Sequence, residues 1–164
     1  MLPTLFLAAF ALLLIWAACC DVATMEIPNR ISVIAVALYP LAALISGATW
    51  QDILIHLGVG FGALVLFWSL FMIGLFGGGD AKLMAAAIVW TGPDISATGG
   101  FLLWTCIAGG LLALIAIVAR KRFKPDPKLP SFVNRFLSEQ HLPYAVAIAA
   151  GGIFVLAKLP IASV

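Results

Sequence analysis

The chain has 164 residues, 64% of them hydrophobic and 10% charged, with a formal net charge of +2. A mean hydropathy of +1.17 excludes an ordinary soluble domain, and no nucleic-acid partner is expected. The three cysteines, Cys19, Cys20 and Cys106, form no CxxC pair, so neither a zinc site nor a disulfide framework is supported.

A membrane-spanning helix needs roughly 20 largely apolar residues, and the chain divides into such runs almost end to end. Six spans are predicted, at 2–20, 31–46, 53–75, 81–90, 99–119 and 143–159. The reading is an all-α, polytopic integral membrane protein with about six transmembrane helices, folded as a single membrane-embedded domain over 1–164. The first run resembles a signal peptide in length, and Ala17-Ala18 before Cys19 is small enough for cleavage. It lacks the basic n-region, so it is expected to stay as a span. In the second, Pro40 is a candidate kink. The fourth is short, about 15 Å as a helix. Either it extends through 91–97, or it starts part-way into the membrane after a glycine run and sets Asp80 below the surface.

The basic residues set the orientation. Arg120, Lys121, Arg122, Lys124, Lys128 and Arg135 lie between the fifth and sixth spans, Arg30 after the first and Lys82 after the third; Lys158 alone falls on the other side. The positive-inside rule turns these loops to the cytoplasm and both termini outward. Asp21 and Asp80 then share the cytoplasmic face. Within the basic loop at 120–142, Phe132, Val133, Phe136 and Leu137 recur at helical spacing, opposite Asn134, Arg135 and Ser138. This predicts either an interfacial helix on the membrane or a solvated loop whose charges set topology.

Ionisable groups at membrane depth are functional candidates. Asp80, preceded by Gly77, Gly78 and Gly79, has two readings. It can be the N-cap of the apolar segment that follows, or a reactive carboxylate beside which three missing side chains admit an extended peptide. Asp21 alone reads as a boundary charge; the turn Ile27-Pro28-Asn29 follows it, with Pro28 able to open the next helix. Together the two suggest a dyad sharing one proton, in which one carboxylate takes a proton from water and the other donates to the scissile carbonyl. No metal or cofactor is needed. Lys82 should point away from Asp80, either reaching the interface or orienting substrate. His56 and His141 make no metal pair. Glu26, Asp126 and Glu139 read as solvated loop charges, Asp52 and Asp94 as charges at the outer face.

Asp21 with Ile27-Pro28-Asn29, then Gly77-Gly78-Gly79-Asp80-Ala81-Lys82-Leu83, then Pro143-Tyr144 opening the last span, resemble in order the type IV prepilin peptidases, the GxGD membrane aspartyl proteases. The resemblance implies Asp21 and Asp80 as the catalytic pair. Active-site support would come from Pro28, Asn29, Gly77, Gly78, Gly79, Lys82, Pro143 and Tyr144. It implies prepilins and pseudopilins as substrates, cut at the cytoplasmic face of the bacterial inner membrane, with membrane lipid and the pilus secretion machinery as further partners. The short length is most similar to the TadV/CpaA group serving Flp-type pili. The cytosolic insertion with paired CxxC motifs of the larger, methylating relatives is absent, so cleavage without N-methylation is expected. Between Asp21 and the IPN turn, many relatives carry basic residues where this chain has Val22 to Glu26. A small proton- or ion-coupled transporter is the alternative, and a non-catalytic scaffold with capping aspartates a third reading.

Overall fold

Every regular element in the computed structural model is helical; it describes residues 2–126, 128–138 and 142–159. In chain order the helices are α1 (Leu2–Thr24), α2 (Asn29–Ile45), α3 (Trp50–Met72), α4 (Gly78–Thr91), α5 (Ile95–Arg122), α6 (Ser131–Ser138) and α7 (Ala145–Val155), the last followed by a 3-10 turn, Leu156–Lys158. Three are long and apolar enough to cross a membrane: Thr4–Thr24, Trp50–Met72 and Ile95–Arg122. The helices α2 and α7 are apolar but shorter. Large side chains such as Phe61, Leu66, Leu111 and Leu114 point outward from α3 and α5, an apolar exterior that suits lipid rather than water.

Each of the six predicted spans coincides with a helix, with shifted ends, and three of these helices have spanning length. The first helix runs a turn beyond its predicted end, so Asp21 lies inside it. It stops where Met25 takes a left-handed backbone, φ 57°; in its last turn Thr24 Oγ1 donates to the Cys20 carbonyl (2.8 Å). That conformation costs a residue with a side chain about 1–2 kcal/mol. Pro28 is the N-cap of α2, and α2 continues through Pro40 to Ile45. Asp52 and Thr49 form a reciprocal capping box on α3, and Asp94 caps α5 through the Ser96 amide at 2.8 Å. These two carboxylates, expected as plain surface charges, therefore fix helix starts.

The fourth helix is the axis of the bundle. From Leu83 to Thr91 it is buried all round, packed mainly against α3 and α2. Trp90 is its anchor, stacked on Phe10 (4.4 Å between ring centroids) and donating its indole N–H to the Ala35 carbonyl at 2.9 Å. It ends at Gly92, φ 63°. A helix end leaves carbonyls without amide partners; the Ile88 carbonyl takes the Gly92 amide, and the Val89 carbonyl bonds His56 Nδ1 at 2.9 Å. His56 stacks on Tyr39 and occupies the space a side chain at Gly92 would need. Its role is a cap on a neighbouring helix. His141 and Glu139 lie outside the described residues.

The predicted helix in the basic loop is α6. Asn134 folds the preceding segment onto it, accepting from the Asp126 amide and donating to the Asp126 carbonyl. Arg135 donates to the Ala23 carbonyl at 2.6 Å, and Arg120 Nε to the Phe136 carbonyl at 3.1 Å. The loop is thus fastened to the end of α1.

Replacing His56 by Ala leaves a buried carbonyl unpaired and a void beside Tyr39. The expected cost is about 1–3 kcal/mol, read as a lower apparent melting temperature in detergent.

Candidate active site

The C-terminus of α1, the N-termini of α2 and α4 and the approach to α7 meet at one end of the bundle. They surround a cavity of about 540 Å³, lined by Asp21, Glu26, Asn29, the glycines 77–79, Asp80 and Leu142 among others. Both aspartates line it. The end of α1 and the start of α4, far apart in sequence, deliver the two carboxylates to one space.

Asp21 is 5% exposed, so the boundary-charge reading fails. A buried carboxylate needs a donor, and Asp21 Oδ2 accepts the backbone N–H of Ala145 at 2.9 Å. Ala145 is the first residue of α7, where amides lack intrahelical partners and the helix dipole favours negative charge. The Pro143-Tyr144 turn sets that amide. Pro143 is buried, and its carbonyl accepts the Val146 amide at 3.2 Å. The Tyr144 ring meets Phe76 edge-on, and its hydroxyl lies where a methyl group at Gly109 of α5 would collide with it.

Asp80 is not the N-cap of α4. That position belongs to Gly77, and Asp80 stands in the first turn. The helix starts inside the glycine run because Gly77 has an extended backbone and its carbonyl already accepts the Ala81 amide at 2.9 Å. Asp80 Oδ1 is buried with no hydrogen-bond partner among the described residues. The three glycines divide their work. A Cβ at Gly77 would stand 2.5 Å from Asp80 Oδ2, one at Gly79 would press on Ile27 of the turn, and one at Gly78 would meet the ring of the exposed Phe71.

Lys82 does not extend freely to the interface. Its Nζ donates to Asn29 Oδ1 at 2.8 Å and lies 5.6 Å from the Trp68 ring centroid. Asn29 therefore ties the start of α2 to α4 beside the cavity, while Pro28 caps α2. Sequence reasoning missed the Ala145 amide, the Asn29–Lys82 bond and the lining role of Glu26 and Leu142. Of these, only Glu26 had a readable signal, its closeness to Asp21 in sequence.

By architecture this is a helical membrane protein with paired carboxylates at one end. Residues 8–114, about two thirds of the chain, match the model of the Type IV leader peptidase family, Peptidase_A24, and the chain belongs to that family. It is accordingly a protease, with leader peptidase activity on prepilins as its general function. The match includes Asp21 and Asp80 and ends within α5, before the Pro143-Tyr144 turn. No curated protein and no solved structure matches the chain.

Gly77→Ala is expected to displace the Asp80 carboxylate and lower cleavage on the order of a hundredfold with little change in melting temperature. Gly78→Ala, whose methyl meets the movable Phe71 ring instead of Asp80, should cost less cleavage than Gly77→Ala. Quantitative prepilin cleavage by the two purified variants checks the contrast.

Proposed function

We propose that the chain is an aspartyl endopeptidase of the short TadV/CpaA-like group, a single membrane domain of about six spans in the bacterial inner membrane. It removes the leader of Flp-type prepilins, and of pseudopilins, at the cytoplasmic face without N-methylating the product. The observation that carries this reading is the opening of Asp21 and Asp80 into one cavity at the end where the basic loop is fastened. The family contributes prepilins as the substrate class. The basic residues around that end favour the cytoplasmic side, and α6 with its neighbouring lysines suits contact with anionic lipid. The pilus secretion machinery is a further partner.

The two carboxylates have different surroundings, and this divides their roles. Asp21, holding the first amide of α7, is the better site for negative charge and acts as the base. Asp80, with one buried oxygen unpartnered, carries the proton. Water loses a proton to Asp21 as its oxygen attacks the scissile carbonyl carbon. Asp80 gives its proton to the carbonyl oxygen, forming a gem-diol. The C–N bond then breaks as the nitrogen takes the proton from Asp21, and a gem-diol hydroxyl returns one to Asp80. The ledger closes with both carboxylates restored. Glu26 at the cavity wall has the charge that a basic leader would meet favourably.

The test is co-expression with a Flp-type prepilin, scoring leader removal by mobility and N-terminal sequencing. Asp21→Asn and Asp80→Asn, at equal membrane levels, should each lower cleavage roughly 10²–10⁴-fold. Cleavage surviving in both removes the aspartyl mechanism. The wild-type rate should be bell-shaped in pH. Acid protonates the base, and alkali strips the proton that Asp80 must donate.

The larger methylating relatives carry a paired-CxxC insertion that this chain lacks. Purified protein given cleaved pilin and S-adenosylmethionine should therefore transfer no methyl group; incorporation of label at the new N-terminus would refute that part of the reading.

A further inference from the structure

A second cavity, of about 630 Å³, opens between α2 and α3 with α4 as its floor. These two helices touch each other sparsely, though both pack on α4. The groove has a polar end and an apolar body. Asn29, Ser32 and Lys82 form the polar end; Ala37 of α2, Phe61 of α3 and Ala86 of α4 represent the body. Asn29 lines the carboxylate cavity as well, so the groove begins where that cavity ends.

The polar end has hydrogen-bonding capacity to spare. Ser32 is 7% exposed and lines the groove, and its hydroxyl has no partner among the described residues, so it has a donor to give to a group that reaches it. Asn29 Oδ1 is taken by Lys82, which leaves the Asn29 amide N–H groups facing other acceptors. Lys82 retains donors beyond the one given to Asn29.

The substrate chemistry matches this layout. A basic leader stays in water, so a chain cut at the membrane face must enter lipid on the other side of the scissile bond. Cleavage needs an unwound backbone, and unwound carbonyls at membrane depth need donors. Farther in, an apolar segment regains its helix and packs best on small side chains such as Ala37 and Ala86. We propose that the groove between α2 and α3 seats the apolar segment of the prepilin that follows the scissile bond, with Asn29, Ser32 and Lys82 donating to its unwound carbonyls. This rests on the reading of the carboxylate cavity as the cleavage site. A phospholipid would also suit an apolar groove with a cation at one end, but the polar end here continues into the carboxylate cavity.

The test uses full-length protein in membranes with a Flp-type prepilin. Wild type must first remove the leader in an Asp21- and Asp80-dependent manner; failure there overturns the functional reading and the groove with it. In the Asp80→Asn background, p-benzoylphenylalanine replacing the exposed Ala37 is then irradiated with uncut prepilin. The expected adduct maps within about ten residues after the scissile bond, the length of helix that the Asn29-to-Ala37 wall can cover. The same probe at Leu114, exposed on α5, should give none. An adduct confined to the leader, an adduct with phospholipid, or no adduct while wild type cleaves overturns the groove alone. Independently, Ala37→Trp should raise KM for prepilin at least about tenfold with kcat and melting temperature little changed. A wild-type KM, or an equal loss in kcat, contradicts the proposal.

Discussion

The hydrogen bond from the Ala145 amide to Asp21 holds the first and last helices together beside the carboxylate cavity. A carboxylate buried among apolar helices is tolerable only with a donor, and α7 supplies one through an amide its own helix cannot use. Much else at that end follows from keeping the bond. The Pro143-Tyr144 turn aims the amide, the bare surface of Gly109 gives the tyrosine hydroxyl room, and Phe76 packs the tyrosine ring against the segment leading to Asp80. One interaction thus couples α1, α5, α7 and the glycine run.

The short fourth helix meets a different constraint. It has few residues and many neighbours, so its register must be fixed from outside. Trp90 does this at one end, through its stack on Phe10 and its bond to the Ala35 carbonyl. His56 completes the same end by capping Val89. At the other end Lys82 bonds Asn29, and Gly77 lets the helix begin within its own side-chain-free turn. With both ends held, the height of Asp80 is set by rigid packing rather than by a loop, which is how a site on secondary structure gains precision.

The basic loop at 120–142 fastens helices together. Arg135 takes the Ala23 carbonyl, one of those left over at the end of α1, and the helix carrying Arg135 lies against Arg120 of α5. The last turn of α1 holds Asp21, so this tether and the Ala145 amide act on the same turn from two sides. The left-handed backbone at Met25 is the local cost of ending that helix abruptly beside the cavity.

The class of protein was legible in the sequence because hydropathy and chain breaks are local. Apolar runs of spanning length, the glycine run, the Ile27-Pro28-Asn29 turn and the helical spacing in the basic loop each declare themselves within a few residues. Those signals located every helix to within a few residues and marked Asp21 and Asp80 for attention. They misjudged Asp80 as a possible N-cap because a sequence cannot show how far a helix extends into glycines. The remaining features depend on tertiary structure. The Asn29–Lys82 pair is 53 positions apart and the Asp21–Ala145 pair 124, and a backbone amide carries no side-chain signature to read. The groove between α2 and α3 is likewise a gap left by packing on α4, and a gap between helices has no residue of its own.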